Sequence, residues 1–161
     1  MHKIWTVLVG FGVAVLVASL SAQARISQDA AAKRLLGTWR LVETTVDGKP
    51  DPSRGLHPTG LLYYDTTGHM ALQVMPEGGR RAYAGTNPTA EEAQAALRGY
   101  SAYFGTYKID ERAHTVTHHR EGNINPGGLG DFVRRYEFLP GDRVALRPTE
   151  SQNELVWERI K

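Results

Sequence analysis

Leu-Gly-Thr-Trp-Arg-Leu-Val, at residues 36–42, is the stretch of this sequence that says most about the fold. It is a short run rich in apolar residues, a pattern typical of a β-strand. Similar runs, separated by turn residues, recur to the end of the chain. Together they predict eight strands, at about residues 36–46, 60–65, 69–75, 101–110, 113–121, 131–139, 143–148 and 153–160.

Several links between these strands are short and indicate antiparallel hairpins. Asp65-Thr66-Thr67-Gly68 suits a turn closed by a left-handed glycine, and Pro140-Gly141-Asp142 suits another tight turn. An eight-stranded sheet that closes on itself loses its exposed edges and encloses room for side chains or one small ligand. Closure makes the first and last strands neighbours, and these carry Trp39 and Trp157. We therefore predict a mainly β fold, an eight-stranded antiparallel barrel with an internal cavity.

One segment departs from the β pattern and predicts a short helix. Thr89 and Glu92 have the spacing of a capping box, in which each side chain bonds the backbone N–H of the other. Apolar residues follow at helical spacing, at positions 93, 96, 97 and 100, and Gly99 can end the helix. Because so short a helix is unstable alone, we expect it to pack against the barrel. A second helical turn is expected at residues 27–34.

The first strand contains a Gly-x-Trp pattern, and further characteristic stretches follow it. They are Gly37-Thr38-Trp39-Arg40-Leu41-Val42, Phe104-Gly105-Thr106-Tyr107, Thr115-Val116-Thr117-His118-His119 and Val156-Trp157-Glu158-Arg159. In this order they resemble the bacterial and fungal lipocalin-like domain proteins of the wider calycin group. The resemblance covers about residues 35–160. It implies a lipocalin-like barrel, in a group that includes carriers, haem binders and cyclases or isomerases. It also implies that Arg159 lies across the ring of Trp39 and closes one barrel end.

The amino-terminal residues have the layout of a secretory signal. A basic start, Met1-His2-Lys3, is followed by an apolar stretch without charge at residues 4–20 and by an Ala-x-Ala site at Ala22 and Ala24. We predict cleavage after Ala24, which leaves residues 25–161 as one domain in the periplasm or outside the cell. No later apolar run is long enough to span a membrane, so we expect no stable membrane insertion after cleavage.

The composition excludes several function classes. The chain has no cysteine, which removes disulfides and thiolate chemistry. Its formal net charge is only +2, which gives no general attraction to nucleic acid or to an anionic membrane. We therefore expect a small molecule, rather than a nucleic acid, as the partner of this protein.

The alternation of side chains along the strands suggests what lines the cavity. Arg134 and Tyr136 share the aromatic face of their strand, and Tyr103 and Tyr107 share a face of theirs. If Trp39 points inward, regular alternation places Glu43 inside as well. An unpaired guanidinium is costly to bury, so Arg134 needs either Glu43 or an acidic or carbonyl-bearing ligand as its partner.

The turn before His118 and His119 decides which of them faces the cavity, because adjacent strand residues point to opposite faces. A two-residue turn at 111–112 pairs Tyr107 with Val116 and places His118 inside. A three-residue turn pairs Gly105 with His119 and places His119 inside. We favour the first register because it buries Val116. Either histidine could move a proton near neutral pH.

No metal or nucleotide site is expected. His114 and His118 share a face but lie about 13 Å apart along the strand, too far for one metal ion. The sequence has neither a P-loop nor a Gly-x-Ser-x-Gly elbow. We expect no cofactor, with haem or another flat cofactor held by one histidine as an alternative.

These observations predict a periplasmic protein that binds a small, largely apolar molecule bearing a carboxylate or carbonyl group. Arg134, Tyr103, Tyr107, Glu43 and Tyr136 are the candidate ligand-binding residues. The alternative is a cofactor-independent isomerase, cyclase or dehydratase acting in the same cavity, with His118 or His119 as its catalytic residue. Long loops at residues 47–60, 76–88 and 127–130 are expected at the barrel mouth.

Overall fold

The computed structural model describes residues 30–78 and 80–161. The chain divides between Arg34 and Leu35 into two compact units. Within the first unit, the described residues 30–34 are helical, and this helix, α1, ends at residue 35. The predicted signal segment, residues 1–24, lies outside the described residues. Among the residues that the structure describes, no helix is both long and apolar enough to cross a membrane.

The second unit is an antiparallel barrel, which confirms the predicted fold class. Its strands are β1 (Gly37–Val46), β2 (Lys49–Pro50), β3 (Thr59–Tyr64), β4 (His69–Met75), β5 (Ser101–Asp110), β6 (Thr115–Asn123), β7 (Gly130–Leu139), β8 (Arg143–Pro148) and β9 (Asn153–Arg159). The two-residue β2 pairs antiparallel with the end of β1, while the eight longer strands pair in the order β1-β3-β4-β5-β6-β7-β8-β9. Pairing of β9 with β1 closes the sheet.

The first and last strands meet where Leu41 faces Trp157 and Trp39 faces Arg159. The Arg159 guanidinium lies 4.2 Å from the centre of the Trp39 ring, and it also donates to the Leu36 carbonyl. This stacking closes one end of the barrel, called the plugged end below, and confirms the contact that the family resemblance implied.

The plugged half of the barrel is filled by its own side chains. Trp39 and Trp157 are almost fully buried, and the Trp39 indole donates to the Leu35 carbonyl at 2.8 Å. The buried neighbours on the surrounding strands are Leu41, Leu62, Val116, Tyr136, Val144 and Leu146. Each such aliphatic side chain contributes about 1.5–3 kcal/mol by leaving water. The core therefore occupies this half, and a cavity lies towards the other end, the open end.

A β-bulge in β1 changes which residues face inward. Leu41 pairs with Trp157 and Glu43 pairs with Val156, so Val42 is an extra residue opposite β9. After the bulge, Thr44 takes the inner position and is buried, whereas Glu43 is exposed. The expectation that Glu43 shares the inner face of Trp39 is therefore wrong, because it assumed an unbroken alternation.

The β5–β6 hairpin differs from both registers considered above. Tyr107 pairs with His118 and Asp110 pairs with Thr115, so the turn has four residues, 111–114. His114 adopts a left-handed conformation with φ of 52°, which lets the turn close without glycine. Because the register differs from the favoured one by two residues, the side-chain faces are unchanged. Val116 and His118 accordingly point inward and are fully buried, as expected.

Gly105 marks a second irregularity, where the register of β5 against β6 shifts between Phe104 and Gly105. A Cβ atom at this position would collide with the backbone oxygen of His119. The missing side chain therefore permits close approach of two strands at a barrel bend, rather than making room for a ligand.

Helix α2 (Ala90–Leu97) has the predicted capping box between Thr89 and Glu92. Its Ala96 is buried, whereas Leu97, expected on the packed stripe, is 48% exposed. Gly99 has a φ of 67°, the left-handed conformation that follows many helix ends.

Candidate functional site

A cavity of about 190 Å³ lies in the open half of the barrel. Its lining comes from the strand ends on that side and from two loops. The lining residues are Thr44, Thr45, Asp51, Arg54, Leu72, Val74, Ser101, Tyr103, Arg120, Asn123, Asn125, Phe132, Arg134, Pro148, Asn153, Glu154 and Leu155. Leucine, valine and phenylalanine side chains supply the apolar wall, while three arginines are its main charged groups.

Arg134 is the most deeply buried of these arginines, with only 6% of its surface exposed. Strand β7 points it inward together with Phe132, and its guanidinium lies 4.7 Å from the centre of that ring. Its Nη2 donates to the Tyr103 hydroxyl at 3.2 Å. The Nε and Nη1 atoms are buried and have no hydrogen-bond partner among the described residues. Arg134 is therefore a buried cation whose hydrogen-bonding capacity is largely unused.

Arg120 reaches the same part of the cavity from the neighbouring strand β6. It follows Val116 and His118 on the inner face, at the spacing of two that alternation requires. Its guanidinium lies 4.7 Å from the centre of the Phe132 ring and 6.0 Å from that of Tyr103. Its Nε is buried and also lacks a hydrogen-bond partner within the described part of the chain.

Arg54 lies at the mouth, in the loop between β2 and β3. It donates to the Ser101 hydroxyl at 3.0 Å, and its Nε lies 3.6 Å from a carboxylate oxygen of Asp51. Burial lowers the pKa of Arg54; Asp51 opposes this effect, and the positive charge of Arg134 adds to it. The guanidinium groups therefore share one electrostatic environment.

The two acidic residues in the lining do not neutralise the deeper arginines. Asp51 faces Arg54, and Glu154 forms an ion pair with Arg147. Of the described carboxylates, none forms an ion pair with Arg120 or Arg134. The cavity therefore holds two cations without a counter-charge from the residues that the structure describes, and it favours an anion.

Below the cavity, a hydrogen-bonded chain connects Tyr103 to His118 and Tyr64. The Tyr103 hydroxyl lies 2.8 Å from His118 Nδ1, and the Tyr64 hydroxyl lies 2.6 Å from Nε2. Burial, with help from Arg134 and Arg120, lowers the pKa of His118 well below its ordinary value of 6.5. Burial also raises the pKa of Tyr64 well above 10.0. His118 and Tyr64 are thus neutral at physiological pH. Both imidazole nitrogens are occupied by tyrosine hydroxyls, so neither is available to a haem iron or a metal ion.

A family model described as the lipocalin-like domain matches residues 36–160, a range that includes the whole cavity lining. This chain belongs to the lipocalin-like domain family. A comparison with curated proteins finds no match. The lipocalin-like barrel suits a small hydrophobic ligand, and the cavity described above is the space that it offers.

Within this lipocalin-like barrel, two of the predicted ligand-binding residues, Arg134 and Tyr103, line the cavity. Tyr107 instead packs edge-on against Tyr64 and donates to the Asp65 carbonyl at 2.8 Å. Tyr136 is buried nearer the plugged end, where its ring packs against Phe138. Glu43 is exposed outside the cavity.

The two histidines proposed as catalytic residues lie in different places. His118 faces inward but is covered by Tyr103, so it does not line the cavity. His119 points outward and lies 2.6 Å from Asp131 on the exposed surface. A proton from His118 could reach a bound molecule only through the Tyr103 hydroxyl.

Two further cavity residues, Arg120 and Arg54, are not among those predicted from the sequence. The sequence does contain a signal for Arg120. His118 is predicted to point inward, and Arg120, two residues later on the same strand, lies on the same face. For Arg54 no such signal exists, because loop residues have no periodic orientation and the approach of this loop depends on Asp51 and Ser101.

Proposed function

We propose that this protein binds a small molecule with an apolar body and a carboxylate or carbonyl group, and that Arg134 holds that group. The observation that carries the proposal is the pair of buried nitrogens on Arg134, Nε and Nη1, that have no partner in residues 30–78 and 80–161. Leaving a buried charge uncompensated costs several kcal/mol, so proteins rarely retain one without a use. A carboxylate can accept two parallel hydrogen bonds from a guanidinium and supplies the missing charge.

The cavity limits the size of the ligand. A volume of about 190 Å³ is slightly larger than the roughly 150 Å³ that accommodates benzene in an apolar protein cavity. At the same volume per atom, roughly eight non-hydrogen atoms fit inside the cavity, and a longer ligand would extend towards the mouth. Its apolar part would contact Leu72, Val74, Phe132 and Leu155, and its acidic group would meet Arg134.

Binding is the proposed function, rather than proton transfer, for a physical reason. His118 is the buried base of the cavity region, but burial and two nearby arginines disfavour its protonated form. A base whose pKa lies well below neutrality is a weak proton acceptor. No described feature favours an isomerase, cyclase or dehydratase over a binding protein.

We also propose that the protein acts in the periplasm or outside the cell. The charged start, the uncharged apolar stretch and the Ala22-x-Ala24 site support export. The small net charge supports a small-molecule partner over a nucleic acid.

Calorimetry with hexanoate, benzoate and the matched neutral compounds hexanol and benzyl alcohol tests the binding proposal. We expect saturable binding of at least one acid, and binding at least tenfold weaker for its alcohol, which lacks the charged partner for Arg134. The absence of saturable binding for both acids, or equal binding of acid and alcohol, would overturn the proposal. Native mass spectrometry of protein taken from its own periplasm then identifies any molecule that stays bound.

A further inference from the structure

The two unneutralised arginines lie at different depths in the cavity. In the β6–β7 register, Arg120 pairs with Gly130, His118 with Phe132, and Val116 with Arg134. Arg120 is thus attached on the open side of the Phe132 level, and Arg134 on the plugged side. Each arginine is attached two residues from the level of Phe132, in opposite directions along the strands. Two residues span about 6.6 Å, so the backbone positions of Arg120 and Arg134 are about 13 Å apart along the strand direction.

The side chains shorten this distance by converging on one ring. Each guanidinium lies 4.7 Å from the centre of the Phe132 ring. The backbone of Arg120 lies on the open side of this ring, and the backbone of Arg134 lies on the plugged side. The two guanidinium groups therefore approach the same ring from backbone positions at different depths. Arg134 also bonds Tyr103, whereas Arg120 only passes near that ring.

The charges of the lining show how much negative charge a ligand must supply. Arg54 faces Asp51, and Glu154 is engaged by Arg147. Arg120 and Arg134 each keep at least one buried nitrogen without a partner, and no described carboxylate pairs with them. Two positive charges thus remain to be balanced among the described residues, and their side chains start from backbone positions at two depths.

From these observations we infer that the ligand carries two separate acidic groups, as in a short dicarboxylate, with one group held by Arg134 and the other by Arg120. This inference rests on the proposed binding function and specifies its ligand class. The apolar segment between the two groups lies beside Phe132 and the aliphatic wall. Arg54 and Asp51 neutralise each other at the mouth and take no part in the charge balance of the ligand.

A matched pair of ligands tests the inference on the wild-type protein. Adipate has the six-carbon chain of hexanoate and differs in carrying a second terminal carboxylate. We expect adipate to bind at least tenfold more tightly than hexanoate, as a second charge-assisted contact requires. Equal affinities would refute the second acidic group and leave the binding proposal intact. If neither acid binds, both proposals fail.

Two variants and one further ligand show where the second group is held. Arg120→Met is expected to reduce the ratio of the adipate affinity to the hexanoate affinity from at least ten towards one, because it removes the contact that only the second carboxylate uses. Arg135→Met, an exposed neighbour on the outer face, removes the same charge and should alter neither affinity. Butyl phosphate carries two charges on one group. If it binds as tightly as adipate, a single doubly charged site replaces the two-site interpretation.

Discussion

Replacing Arg134 by methionine is expected to stabilise the ligand-free protein while weakening ligand binding. Methionine has a similar length and fills irregular apolar space without a charge. The substitution removes one hydrogen bond from a charged donor, from Nη2 to the Tyr103 hydroxyl at 3.2 Å, which is worth about 1.5–3 kcal/mol. It also removes a 6% exposed cation without a carboxylate partner, whose desolvation costs several kcal/mol. The expected net gain is about 1–3 kcal/mol in unfolding free energy.

Urea unfolding without ligand measures this gain, and calorimetry with hexanoate or adipate measures the expected loss of binding. Affinity should fall at least tenfold, because a charge-assisted hydrogen bond contributes about 1.5–3 kcal/mol. Arg135→Met is the matched control, since Arg135 is exposed on the same strand, and it should leave both quantities nearly unchanged. A destabilisation of Arg134→Met by more than about 1 kcal/mol would show that Arg134 supports the fold, and would refute the reasoning.

Three further predictions concern the barrel plug, the buried histidine and export. Arg159→Met removes the stacking on Trp39 and the hydrogen bond to the Leu36 carbonyl. Urea unfolding should therefore show an unfolding free energy lower by about 2–3 kcal/mol. An unchanged midpoint would show that this contact does not stabilise the barrel. His118 has a lowered pKa in the folded state, so the unfolded chain binds the extra proton more readily. Above about pH 6.5, protonation of His118 should therefore not affect the unfolding free energy, and below it this free energy should fall by about 1.4 kcal/mol per pH unit. His118→Gln should lose this pH dependence. The same pH dependence in both proteins would exclude His118 as its source. Protein recovered from the periplasm should have the mass of residues 25–161, and the mass of the full chain would contradict cleavage after Ala24.

Much of the fold could be predicted because the strands follow local rules. Runs of apolar residues and turn chemistry located the eight long strands to within about two residues at each end. The two tryptophans on terminal strands indicated closure, which the pairing of Leu41 with Trp157 confirms. The capping box of α2 was equally local, because Thr89 and Glu92 bond within one turn.

The inner faces were harder to predict, since each depends on pairing between strands. The bulge at Val42 moved Glu43 outward, and the longer β5–β6 turn changed the register without changing the faces. A prediction that assumes strict alternation of side chains along a strand cannot reveal an extra residue opposite the partner strand. Arg134 was identified because its strand has no such irregularity within the β6–β7 pairing.

The extra residue in β1 also shows how readily the electrostatics of this interior could be altered during evolution. Deletion of Thr44 would straighten the strand and bring the carboxylate of Glu43 into the vacated inner position. Deletion of one codon, without any replacement of an arginine, would thus supply an internal counter-ion and remove the anion binding that we propose for this cavity. Sequence alignments of relatives should therefore be inspected for the length of the first strand as well as for its acidic residues.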